Sequence, residues 1–258
     1  MIFNLEHRRR EDEWMDAPDA DPAELEKSLR FIRRVNSLLG YTRSTIGHLD
    51  RLMRVLPGIP LRHPIPSEAP AVHPGLQLKI LDVATGSGDV PRAILRWADR
   101  RKFDCEVTGI DLHHATLHRA FELERDARLH FTRGDATQLP FADRSFDFVL
   151  TSMFLHHLDP PMVISVLREM DRVAKRGVII ADLLRSRRAY AWISLFTAFS
   201  NPMVKHDARV SVSGAFTSDE LVGMASQAGL AYLKPHRHFG HRLVLAGLKP
   251  NVTTSDRS

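Results

Sequence analysis

The chain has 258 residues, a formal net charge of +5, 43% hydrophobic and 26% charged residues, and a single cysteine. That balance suits a globular protein and excludes a disordered chain, a collagen and a disulfide scaffold. No apolar run reaches the roughly 18 residues a bilayer span needs, and MIFNLEHRRREDEW carries charge where a signal peptide needs an apolar core, so the expected compartment is the cytoplasm.

The basic residues are mostly arginine and spread along the whole chain, which reads as a mildly basic surface rather than a nucleic-acid footprint. In chain order, HRRR reads as a solvated charge run, or as weak attachment to a membrane surface. DPAELEKSLRFIRRVNSLLG then predicts a helix, with Asp21 as cap, Pro22 at the first position and Gly40 as stop. Ser44 to Leu56 predicts a second helix. Together, residues 1–56 form an expected N-terminal helical cap. The six prolines between Pro57 and Gly75 can neither continue a helix nor join a central strand, so 57–75 reads as a linker.

Residues 76–248 alternate strand with helix. LQLKILDVA, CEVTGID, LHFTRGD, SFDFVLTS and GVIIADLL predict five strands. Helices are expected at Val90 to Arg101, His114 to Asp126 and Pro160 to Ala174. TSDELVGMASQAG predicts a further helix with a Thr217/Glu220 capping box. LAYLKP and RLVLAGL are expected as the last strands, and 249–258 as a frayed tail. The pattern predicts an α/β fold: a doubly wound, mostly parallel seven-stranded sheet of Rossmann-like type. The stretch 185–216 is an insertion. Its RSRRAYAWISLFTAFS reads either as a buried helix or as a lid lining an apolar pocket.

Four elements sit at successive strand ends. ILDVATGSGD places Gly86 and Gly88 in a strand-to-helix turn, where backbone can approach a ligand. Ala84 stands where a G-x-G-x-x-G pattern has its first glycine, and the third position after Gly88 is Pro91, so the turn fits a dinucleotide pyrophosphate poorly. Asp111, 23 residues after Gly88, can hold ribose hydroxyls. Asp135 in GDA can accept from an adenine amino group. LPFADRSFDFVLTS completes the order.

ILDVATGSGD, GID, GDATQLPF and SFDFVLTSMFLHHL resemble the class I S-adenosylmethionine-dependent methyltransferases, and within them the ubiquinone/menaquinone-type and small-molecule O-methyltransferase group. The resemblance covers roughly residues 76–184. It implies that Asp82, Ala84, Gly86 and Gly88 surround the methionine moiety of S-adenosylmethionine. It places Leu112 beside the adenine with Asp111 on the ribose, and Ala136 on the ring with Asp135 on the amino group. Ser152 would close the methionine side.

Methyl transfer is an in-line displacement, so the protein must align the nucleophile and deprotonate a hydroxyl acceptor. His156 and His157 follow the fourth strand directly. By resemblance to sugar and phenol O-methyltransferases, a histidine there and an aspartate ending the fifth strand, here Asp182, serve catalysis. The sequence does not choose between the two histidines. His206, with Asp207, is a second acid/base candidate. The expected acceptor is a small aromatic or lipid-like molecule. A metal ion is not expected, although His114/His118 and His236/His238/His241 are spaced closely enough to be considered. Cys105 is expected in the core.

Overall fold

A computed structural model describes residues 5–16, 21, 27–28, 40–56, 77–123, 126–239 and 241–250. Seven strands form one sheet: β1 (Gln77–Val83), β2 (Asp104–Asp111), β3 (Leu129–Arg133), β4 (Phe146–Ser152), β5 (Ala174–Leu183), β6 (Lys234–His238) and β7 (Arg242–Leu248). Their order is β3-β2-β1-β4-β5-β7-β6. β7 runs antiparallel to both of its neighbours, and the other pairs are parallel. The near-continuous apolar runs of β1, β4 and β5 arise because strands of a parallel sheet are covered on both faces.

Seven helices accompany the sheet among the described residues: α1 (Tyr41–Arg54), α2 (Asp89–Arg101), α3 (His114–Leu123), α4 (Pro160–Val173), α5 (Arg187–Phe196), α6 (Pro202–Gly214) and α7 (Ser218–Gln227). One core joins Leu49 and Met53 of α1, and Ile94 and Trp97 of α2, to Leu78, Ile80, Phe148 and Leu150 of the sheet. The other joins Val163, Leu167 and Met170 of α4, and Leu221 and Met224 of α7, to Leu81, Val149 and Ile180. Neighbouring residues of one strand thus serve opposite cores, as the two-residue period of a strand requires.

The strand order reverses between β1 and β4. Ligands of open α/β sheets bind at such a point, beyond the carboxyl ends of the strands. Asp82, Asp111, Ser152 and Asp182 all lie at or next to those ends.

Several expectations shift. α1 begins at Tyr41, not Ser44, directly after Gly40, whose φ of 71° is left-handed. β5 begins three residues earlier than GVIIADLL implied. Only the end of LAYLKP is strand: Leu230 and Leu233 are buried in the core, and β6 begins at Lys234, as KPHRH. The capping box of α7 is present as read. Lys249 is anchored, its Nζ donating to the Asp171 and Ala174 carbonyls and to the Asp171 carboxylate. The expected helix ending at Gly40, the linker 57–75 and the tail beyond residue 250 lie almost wholly outside the described residues.

Candidate active site

The turn from β1 to α2 is left-handed at three residues: Ala84 (φ 58°), Gly86 (φ 55°) and Gly88 (φ 79°). Gly88 is buried, and a Cβ there would stand 2.7 Å from the Phe131 ring, so the position admits no side chain. A Cβ built on Gly86 meets no atom within 4 Å, so the backbone there borders open space above the sheet edge. Asp111 Oδ2 accepts from the Gly86 N–H at 2.8 Å, and its Oδ1 from the His113 N–H at 2.9 Å. This ties the ends of β1 and β2 together. Each carboxylate oxygen still has lone-pair capacity for a ligand hydroxyl.

Asp82 is 1% exposed and accepts from the Thr85 hydroxyl at 2.8 Å. Burial pushes its carboxyl up to about 7, against the Thr85 hydrogen bond and with the charges of Asp111 and Asp89. Leu112, at the strand edge, leaves half its surface bare. Asp135 Oδ1 accepts from both the N–H and the hydroxyl of Thr137, and Ala136 packs against the α4-side core. Ser152 is half-buried at the end of β4, beside Ala181 of β5. These residues fit S-adenosylmethionine: an acceptor pair at Asp111, a bare apolar surface at Leu112, a buried carboxyl at Asp82, and backbone without side chain at Gly86.

The two histidines separate clearly. Leu155–His157 is a single 3-10 turn after β4. His156 is buried, its Nδ1 2.6 Å from Asp182 Oδ1, while its own backbone N–H donates to Asp182 Oδ2. Burial opposes a charge on His156, but the Asp182 charge and hydrogen bond, with Glu13 further off, outweigh it and hold the imidazole above its ordinary value. Asp182 lies below its usual range: burial would raise it, and the charge and hydrogen bond of His156 prevail. The His157 ring packs on His156 with centroids 4.2 Å apart. Burial and the neighbouring His156 depress it to about 3, so it is neutral.

A cavity of about 430 Å³ opens over both rings, lined also by Val210, Ser211 and Gly214 of α6 and by Arg10 to Trp14. That last wall was not foreseen. HRRR is not a free charge run: Arg8 donates to the carbonyls of Gly214, His156 and Leu158, and its guanidinium lies 4.3 Å from the Phe216 ring centre. Arg10 pairs with Asp159 at 2.8 Å. Glu13 is 8% exposed and accepts from the Ser211 hydroxyl. The only sequence signal for this docking is Trp14, an aromatic residue inside a charged run.

His206 and Asp207 lie within α6, and both hold this N-terminal segment. The Asp207 carboxylate accepts from the Trp14 and Met15 N–H groups at 2.8 and 3.1 Å, and the His206 ring stacks on Trp14 at 4.1 Å. His206 therefore borders a neighbouring cavity of about 420 Å³, with Tyr190 and Arg209, rather than the one over His156. α5 is not a buried helix: of its residues only Ala189 is buried, while Leu195 and Phe196 are exposed, as is Phe199 beyond it, and its Tyr190 borders the cavity of His206. From the insertion it is α6 that reaches the histidine cavity.

Elsewhere, His236 and His238 gather around His48 of α1 rather than around His241. Cys105 is buried in β2, its thiol pushed up to about 12 by burial. No described helix is long and apolar enough to cross a membrane.

Residues 80–177 match the family model described as a methyltransferase domain. Over 108 residues the chain is 39% identical to a demethylmenaquinone methyltransferase of Thermotoga maritima, covering 41% of this chain and 44% of that protein. It is 27% identical over 197 residues to an uncharacterized methyltransferase of Synechocystis, covering 75% of this chain and 84% of the other. The chain thus spans at most about half the length of the curated demethylmenaquinone methyltransferases it matches. A solved plantazolicin methyltransferase, BamL, has the same fold, with a TM-score of 0.61 at 16% identity over 86% of this chain and 73% of that one.

Proposed function

We propose, from the premise that this chain carries a class I S-adenosylmethionine-dependent methyltransferase domain related to the demethylmenaquinone and small-molecule O-methyltransferases, that it methylates a small, largely apolar acceptor in the cavity over His156 and His157. The acceptor group we favour is the hydroxyl of a phenolic, polyketide-derived or quinone-like ring. The observation that carries this reading is the buried His156–Asp182 pair, whose histidine lines that cavity.

S-adenosylmethionine, when bound, supplies an electrophilic methyl group on a sulfonium leaving group. Asp82 would pair with the ammonium of its methionine moiety, beside the backbone of Ala84, Gly86 and Gly88, with Ser152 closing that side. Asp111 would take the ribose hydroxyls. Leu112 and Ala136 would flank the adenine, and Asp135 would accept from its amino group. His156 takes the acceptor's proton through Nε2, because Asp182 holds Nδ1. The carboxylate fixes the tautomer and stabilises the imidazolium that forms, the division of labour in a catalytic triad. His157, neutral and packed on His156, shapes the wall. His206 steadies the N-terminal segment.

Carbon methylation of a quinone-type ring is a second reading, favoured by the names of the curated relatives. It leans less on a histidine base. A nucleic-acid acceptor is a weaker reading, because the basic residues are spread along the whole chain.

Calorimetry should show S-adenosylmethionine binding that Asp111→Ala weakens; full affinity in the variant removes the ribose assignment. His156→Ala should cut turnover by about 10²–10⁴-fold with cofactor affinity intact, the range of general base catalysis. Turnover surviving in His156→Ala, with methyl on ring carbon in the product mass spectrum, favours the second reading. Label from the cofactor passing mainly into RNA overturns both.

A further inference from the structure

The cavity over the histidines holds a group of three side chains of which the proposed methyl transfer uses only His156. Glu13, His156 and His157 each offer one ligand atom, and all three atoms lie within 4.8 Å of one another. Among the described residues this is the only set of three or more histidine, cysteine or acidic side chains gathered so tightly. Glu13 and His156 are buried and His157 is partly so, which sets this group apart from the acidic clusters common on surfaces.

We infer that Glu13, His156 and His157 form a binding site for a divalent ion of the zinc class, with an open coordination position facing the cavity. Two histidines and one carboxylate are a donor set that catalytic zinc sites use, together with a fourth position for water or substrate. Ligand atoms about 2.0–2.2 Å from such an ion stand a little over 3 Å apart, so a spread within 4.8 Å closes with small side-chain rotations.

The outer shell is already built. A metal-binding histidine almost always gives its second ring nitrogen to a carboxylate or a carbonyl. His156 gives Nδ1 to Asp182 at 2.6 Å, which leaves Nε2 for the ion. Glu13 is held by the Ser211 hydroxyl, and its segment by the three carbonyl bonds of Arg8.

Competing groupings are weaker. His48 and His238 place their Nε2 atoms 2.8 Å apart, which is a hydrogen bond and too close for two ligands of one ion, and Arg51 stands beside them. His118 and Glu122 are exposed.

The ion's ligand class is an oxygen donor: the hydroxyl or carboxylate of a small molecule in the cavity. The ion and the acceptor's proton compete for Nε2 of His156, so the proton transfer proposed above belongs to the ion-free chain; with the ion bound, its charge would lower the pKa of an acceptor hydroxyl coordinated there.

The test uses the full chain, stripped with chelator and titrated with Co²⁺ and Zn²⁺. One equivalent of Co²⁺ should bind with the visible absorption of a four- or five-coordinate ion, and Zn²⁺ should bleach it. Glu13→Gln and His157→Asn should each weaken Co²⁺ binding at least tenfold, and Asp182→Asn by about 10–100-fold as an outer-shell change. S-adenosylmethionine binding, measured on each variant, reports that the fold is intact and tests the function proposed above separately. Absence of a Co²⁺ spectrum in the wild-type chain overturns the site. So does unchanged affinity in both Glu13→Gln and His157→Asn when those variants still bind the cofactor.

Discussion

Ala84 holds a φ of 58°, a left-handed conformation that an L-residue with a Cβ reaches at a cost of roughly 1–2 kcal/mol. The turn requires that conformation, because Gly86 and Gly88 on either side of Ser87 share it. Ala84→Gly should therefore stabilise the protein by about 1 kcal/mol and raise Tm by roughly 2–4 °C in a thermal melt. Asp82 carries a strain of a different kind. Its folded pKa of about 7 lies above the ordinary carboxyl value. Its contribution to stability is fully present below the unfolded pKa and is lost as pH rises through about 7. Between pH 5 and pH 8, wild type should lose more stability than Asp82→Asn in denaturant titrations. Cofactor affinity should move the other way, rising through pH 7 in wild type and flat in Asp82→Asn, because an ammonium pairs with the ionised carboxyl. At His156, Asp182→Asn should lower kcat with little change in KM, since the Asn amide cannot stabilise an imidazolium.

At the scale of elements, the apolar runs of β1, β4 and β5 and the periodicities of α2, α4 and α7 were legible because burial on the sheet dictates their pattern. β6 was not. KPHRH is an edge strand with a proline and charges, the composition that keeps sheet edges from pairing further, and it hides the strand from an apolar reading. The positions of Asp82, Asp111 and Asp182 at strand ends were legible because the strand pattern fixes where each strand stops, whereas only the structure separates His156 from His157. Glu13 was not, because its burial depends on Ser211 and the histidine turn, far away in sequence. Arg8 offers a direct check on that docking. Arg8→Ala removes the hydrogen bonds to Gly214, His156 and Leu158. Segment 8–16 should then become cleavable at Glu11 and Glu13 by a glutamate-specific protease, and Trp14 fluorescence should shift to the red, while the sheet melts within a few degrees of wild type. Resistance to cleavage in the variant would mean that the Asp207 and His206 contacts hold the segment alone.

For the molecule as a whole, the two cores share β1 and β4, so they should unfold together in one transition. A cofactor that binds only the folded chain adds about 2.7 kcal/mol at 100 times its Kd, which at this size raises Tm by roughly 5–10 °C. S-adenosylmethionine should produce that shift in wild type, and Asp111→Ala should reduce it. The clamp made by Arg8 also sets an order of events during synthesis. Its carbonyl partners lie at residues 156, 158 and 214, so the segment bearing Glu13 leaves the ribosome well before there is anything for it to grip. Five of the seven strands, and α6, must be made before that segment can dock. Whatever chemistry the histidine cavity performs is thus withheld until translation has passed α6, and a truncated chain that ends before Gly214 lacks both a wall and a closure.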